Sequence, residues 1–219
     1  MKVLVACEES QEVCKAFRAR GHEAYSCDIQ EPSGGHPEWH IQQDVLPLLN
    51  GNCDFYTMDD VMHIIDGKWD LIIAHPPCTY LSNAGARWLY AGGELTTERY
   101  RKGIDGKKFF MSMLNADCPR IAVENPIPSS IYELPQYTQV IQPYQFGEPW
   151  SKKTCLWLKE LELLQPTNIV EDYKPYCSSG SYSGTHDPKY KGASRKGGSA
   201  KSRSKTFSGI AKAMAEQWG

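Results

Sequence analysis

The sequence predicts an α/β protein built on a doubly wound, mostly parallel sheet. Over the first 130 residues, compact apolar runs of strand length alternate with stretches of helical period. The apolar runs are continuous, as expected for strands covered on both faces. At 219 residues and 41% apolar content, the chain is long enough for one cored domain with a small appendage.

In chain order, Lys2–Cys7 reads as a buried strand and Ser10–Arg20 as a helix with Val13, Ala16 and Phe17 on its apolar face, ended by Gly21. Glu23–Ile29 is a second strand that contains Asp28. Trp69–Ala74 is a third, halted by His75-Pro76-Pro77, because consecutive prolines remove two ladder donors. Gly106–Asn115 reads as a helix and Arg120–Val123 as a fourth strand ending at Glu124-Asn125-Pro126. Beyond Pro135 the signals turn to strands, Val140–Phe146 and Thr154–Leu158. The last segment, Ser208–Trp218, is a helix with Ile210, Ala211, Met214 and Ala215 on one face.

Composition excludes several classes. The longest apolar runs, such as Leu71–Ala74, fall far short of the ~20 residues that span a bilayer. The apolar start gives way at Cys7-Glu8-Glu9, too early for a signal peptide, so the expected location is cytoplasmic. The eight cysteines form no C-x-x-C pair, which argues for a reducing compartment and against a structural zinc. No metal site is expected from His36, His40 and His75, which read as loop residues. Charge is uneven: Lys189 to Lys205 carries seven basic residues, including Arg195, Lys196, Lys201 and Arg203, and no acid, leaving −9 on the remainder of a chain of net charge −2. Such a Gly/Ser-rich basic run is either a phosphate-binding arm for nucleic acid or a solvated linker.

In open α/β sheets, ligands bind beyond the carboxyl ends of the strands. After the predicted strands come Cys7-Glu8-Glu9-Ser10, then Asp28, then His75-Pro76-Pro77-Cys78, then Glu124. Asp28 stands where an acid either binds the ribose of a nucleotide-type cofactor or caps a turn, and Asp44 offers the same pair of readings near an adenine. Cys78 follows a rigid turn at a sheet edge, where a partly exposed thiol becomes either a nucleophile or a structural residue. Glu124 ends an apolar strand; burial raises a carboxyl pKa, so a protonated, hydrogen-bond-donating Glu124 is expected.

Pro76-Pro77-Cys78 followed by Glu124-Asn125-Pro126 resembles the nucleophile and acid motifs of DNA cytosine-5 methyltransferases. Phe146-Gly147-Glu148-Pro149 resembles that family's Tyr-Gly-x-Pro segment, and most of the chain looks like its small phage-type members. The resemblance implies the Rossmann-like fold of S-adenosylmethionine-dependent methyltransferases and a host-cytoplasm location if the gene is phage-borne. It implies Cys78 and Glu124 as catalytic residues acting on a cytosine flipped out of duplex DNA. Glu8, Ser10, Asp28, Asp44 and Pro76 would hold S-adenosylmethionine. Asn83, Arg87, Lys152, Lys153, Arg195, Lys196, Lys201 and Arg203 would contact DNA. Residues 1–163 and 206–219 would form the catalytic body, with 164–205 as a reduced, partly mobile basic segment in place of a target-recognition domain. Two departures stand out: Ala6–Gln11 lacks the family's glycines, and Ser151-Lys152-Lys153-Thr154 replaces its Gln-x-Arg-x-Arg motif. A methyltransferase acting on free pyrimidine nucleotides and a binding module of the same fold that has lost its cofactor are the alternatives.

Overall fold

Seven strands make the central sheet: β1 (Lys2–Ala6), β2 (Glu23–Asp28), β3 (His40–Gln42), β4 (Leu71–Ala74), β5 (Ile121–Pro126), β6 (Gln139–Ile141) and β7 (Thr154–Lys159). The structure is a computed structural model and describes residues 1–86, 88–176 and 204–219. The strand order is β3-β2-β1-β4-β5-β7-β6. The first five strands run parallel, and β7 is antiparallel to both of its neighbours. This is a doubly wound, mostly parallel α/β sheet. The winding direction reverses between β1 and β4, so the crevice beyond their carboxyl ends is the topological switch point.

Each face has its own core. Val3, Val5, Leu71, Ile73, Ala122 and Leu156 pack beneath α1 (Glu12–Ala19) and the C-terminal helix. On the other face, Leu4, Ile72, Ile121, Val123 and Trp157 pack beneath α2 (Thr97–Leu114) through Phe110 and Met113. The C-terminal helix, α3 (Ser208–Trp218), has the bounds its apolar period predicts, and Trp218 anchors it by donating to the Glu162 carbonyl at 3.0 Å.

Four expectations need correction. First, α2 begins nine residues before the predicted Gly106, because Gly103 does not break the helix. Its missing side chain makes room for the Tyr132 ring, which a Cβ there would strike. Second, β5 does not end at Val123. It continues through Glu124 to Pro126, because β7 extends the ladder after β4 has stopped, pairing Leu156 with Glu124 and Thr154 with Pro126. Third, the strand expected over Val140–Phe146 is only Gln139–Ile141, followed by a 3₁₀ turn at Pro143–Gln145 that the Gln142 and Gln145 side chains cap. Fourth, His40 is not a loop residue. It lies fully buried on β3, with Nδ1 2.9 Å from the Ser26 hydroxyl and Nε2 2.9 Å from the Gln30 carbonyl. Desolvation lowers its pKa, so the neutral imidazole donates from Nε2 and accepts at Nδ1. A hairpin, Cys53–Tyr56 with Met62–Ile65, had no clear sequence signal.

The described start of the 164–205 segment is packed on the body. Leu164 is fully buried and Tyr173 stacks on Tyr144 at 4.0 Å. No described helix is long and apolar enough to cross a membrane.

Candidate active site

The Cys78 loop leaves β4 at the switch point. Ala74 of β4 is in register with Val123 of β5, which sets His75 beside Glu124 and Pro76 beside Asn125. The Asn125 side-chain amide donates to the Pro76 carbonyl at 2.9 Å, within a buried environment. At the far end of the loop, the Asn83 amide donates to the Ile127 carbonyl (3.0 Å) and the Ser129 amide to the Leu81 carbonyl (2.7 Å). The half-buried Cys78 therefore sits in a loop tied at both ends to the segment carrying Glu124. From α2, Arg99 donates to the Thr79 and Gly85 carbonyls at 3.3 and 3.2 Å, and its guanidinium stacks over Tyr80. Gly85 is required here, since a Cβ would collide with the Thr79 carbonyl. The loop is preorganised by these contacts.

Glu124 overturns the expectation of a neutral acid. Desolvation does push its pKa up, but the hydrogen bond from His75 and the charges of Lys152 and His75 outweigh it, and the net shift is downward. His75 Nδ1 lies 3.3 Å from Glu124 Oε2, and their side chains are 8% and 16% exposed. The ionised carboxylate can only accept, so Nδ1 carries the proton. Glu124 and Lys152 share a cleft with Phe207 and Met214, closed to about 10 Å³, room for roughly one water.

The turn after β1 holds the other acids. Cys7 and Gln11 have φ of 59° and 58°, the left-handed conformation that glycine usually supplies. Glu8 is turned inward. Its two oxygens accept from the first-turn amides of α1, Val13 at 2.6 Å and Cys14 at 3.1 Å. An internal carboxylate thus fills the anion site that a dinucleotide's pyrophosphate would need. Burial pushes the Glu8 pKa up to about 7 against the charge of His75 and the two amide bonds. The folded state therefore holds this proton more tightly than the unfolded chain. Stability should be greatest below the ordinary carboxyl value and fall by about 3 kcal/mol as pH rises through 7. Urea unfolding from pH 4 to 8 should show Glu8→Gln lacking this decline; curves parallel to wild type would exclude Glu8 as its source.

Asp28 and Asp44 each cap a turn with one oxygen, accepting from the Gln30 amide at 2.9 Å and the Leu46 amide at 3.1 Å. They also converge. Burial, then the charges of Asp28 and Asp44 together with Cys27, push the Cys7 thiol up. Ser10 and Pro76 are buried at the same edge of the sheet. Ser33–His36 folds back onto the β1 turn, the Ser33 amide donating to the Glu9 carbonyl and Gln11 to the His36 carbonyl, both at 2.8 Å. Asn83 and Lys153 are exposed, whereas Lys152 faces the cleft. Arg87, Arg195, Lys196, Lys201 and Arg203 lie outside the described residues. His75 is the site residue that sequence reasoning passed over. Its signal was its place, directly after an apolar strand and in register with an acid 49 residues on.

No protein-family model matches the chain, and no curated protein does. Among solved structures, it is similar to a candidate DNA modification methyltransferase encoded within an E. coli prophage. The two are 14% identical with a TM-score of 0.40, over 78% of this chain and 52% of that one. The chain spans about half the length of that protein.

Proposed function

We propose that the protein transfers a methyl group from S-adenosylmethionine to C5 of cytosine in DNA, with Cys78 as nucleophile and Glu124 as the acid–base partner. The observation that carries this reading is the double tie of the Cys78 loop to the Glu124 segment, beginning with Asn125 on the Pro76 carbonyl. Tying the loop that carries Cys78 to the strand end that carries Glu124, next to the switch point, supports a site in which a thiol and a carboxylate act on one ring.

The cofactor edge suits a phosphate-free nucleoside. Glu8 fills the anion site of α1, while Asp28 and Asp44 offer their remaining oxygens beside Cys7. The left-handed Cys7 supplies the tight turn without glycine. Asp28 and Asp44 would hold the ribose and adenine ends of S-adenosylmethionine, which supplies an electrophilic methyl group.

The Cys78 sulfur adds to C6, forming the S–C6 bond as the C5=C6 electron pair moves through C4 onto N3. Glu124 delivers a proton there. With the cofactor bound, C5 would accept its methyl group as the sulfonium S–CH3 bond breaks and the electron pair leaves on the thioether sulfur. C5 then loses its hydrogen as a proton to water, the S–C6 bond breaks to return the thiolate, and N3 returns its proton. Addition makes C5 nucleophilic without the ring ever carrying a free carbanion.

Sequencing treated DNA for 5-methylcytosine tests the reading. Methylated cytosines that depend on S-adenosylmethionine support it; uptake of the cofactor with no modified base would leave a binding module.

The basic arm gives a separate expectation. Changing Lys189, Lys191, Arg195, Lys196, Lys201 and Arg203 to Gln should weaken DNA binding. The slope of log K against log[salt] should flatten by about 0.9 for each phosphate that the arm no longer neutralises. An unchanged slope in a filter-binding series would make the arm a linker.

A further inference from the structure

The geometry points to His75 as the positioning residue that stores the proton Glu124 exchanges with cytosine N3, an inference that rests on the methyltransferase reading above. Three observations carry it. His75 Nδ1 is 3.3 Å from Glu124 Oε2. Its side chain is more than nine-tenths buried, and Nε2 has no hydrogen-bond partner among the described residues. Glu8, fixed in place by the α1 amides, is near enough for the charge of His75 to act on it. A buried imidazole in hydrogen-bond reach of a carboxylate is placed to pass a proton to it.

The chemistry needs such a store. Glu124 is held ionised in the free protein and so has no proton of its own to give. When sulfur adds to C6, N3 gains the electron pair. The Nδ1–H bond of the His75 imidazolium breaks to give Glu124 Oε2 a proton, which passes on to form the N3–H bond, and His75 is left as neutral imidazole with its hydrogen on Nε2. On elimination, N3–H breaks and the proton returns by the same two atoms. No oxidant or further reactant is required.

The groups acting on this relay come from several elements. Glu8 belongs to the β1–α1 turn, Glu124 to β5, Lys152 and Lys205 to the cleft, and Glu12 to α1, where it acts on Glu8. A histidine keeps its proton to higher pH than a carboxyl, so removing it should move the alkaline limb of the rate profile toward acid.

The test is the pH profile of methyl transfer by the whole protein, with His75→Asn beside wild type. The companion readout is exchange of deuterium from C5 of a labelled cytosine duplex without cofactor, which reports addition and N3 protonation alone. The expected result is an alkaline limb moved acidward by about 1–2 pH units and a loss of about 10²-fold at pH 8 that shrinks at pH 6, with DNA affinity unchanged. A loss equal at every pH overturns the proposal while leaving the methyltransferase reading in place. Wild-type protein that neither methylates nor exchanges overturns that reading and this one with it. Should the variant not fold, nitrogen-15 shifts of the wild-type His75 ring decide: two protonated ring nitrogens at neutral pH support the relay, and a neutral ring carrying one proton overturns it.

Discussion

Cys78→Ala is expected to abolish methyl transfer, a fall of about 10⁴-fold or more, because no other group in the loop can make the bond to C6. Cys78→Ser should fare little better. A hydroxyl gives far less anion near neutrality than a thiol, and the hard oxygen adds poorly to a conjugated ring. Little else should change. The residue is half-buried, and Pro76, Asn125, Ile127 and Arg99 hold the loop around it through their backbone and side chains. Melting temperature and DNA affinity should therefore match wild type. Cofactor affinity should also match, since Asp28 and Asp44 lie at the ends of β2 and β3, the opposite wing of the sheet. Burst measurements with a cytosine duplex read the loss directly, and a variant retaining even a hundredth of the rate would end the covalent route.

What the sequence disclosed depended on how local each signal is. α3 was legible to its bounds because its apolar period runs uninterrupted over Ser208–Trp218. The first half of α2 was hidden by Gly103, whose purpose is the distant Tyr132 ring, and no local rule reports that contact. β3 is three residues long and opens on a buried histidine that only the Ser26 hydroxyl and Gln30 carbonyl make tolerable. The residues of the candidate site were legible by position, since strand ends after apolar runs are easy to find. Their charge states were not. Glu124 stands at the end of a buried element and reads as an acid awaiting a proton. It is ionised because β4 registry brings His75 and the chain before β7 brings Lys152, from 49 residues before it and 28 after it. Local polarity predicts desolvation; only the tertiary register predicts what compensates it.

Glu124→Gln should therefore produce two effects of separable origin. The first is a loss of turnover of about 10²–10³-fold, because the amide can still accept a hydrogen bond from the cytosine amino group but cannot pass a proton to N3. The second is a loss of stability with a definite sign. The depressed carboxyl contributes stability above its unfolded pKa, and that contribution is lost as pH falls through the folded value. The variant should be less stable than wild type at pH 7, leaving His75 and Lys152 without their anion, and the gap should close in acid. Urea midpoints at pH 7 and pH 3 read the second effect, and single-turnover rates read the first. A gap from wild type that is the same at both pH values would mean that desolvation cancels His75 and Lys152 and leaves the carboxyl with no net shift. The cleft adds a further condition on the reaction. With room for roughly one water beside Glu124, a pyrimidine meeting the carboxylate from that side must displace part of the lining, which includes Lys152, Phe207 and Met214. The rate lost in Glu124→Gln should then appear in the bond-forming step, after DNA has bound, and leave the affinity for duplex unchanged.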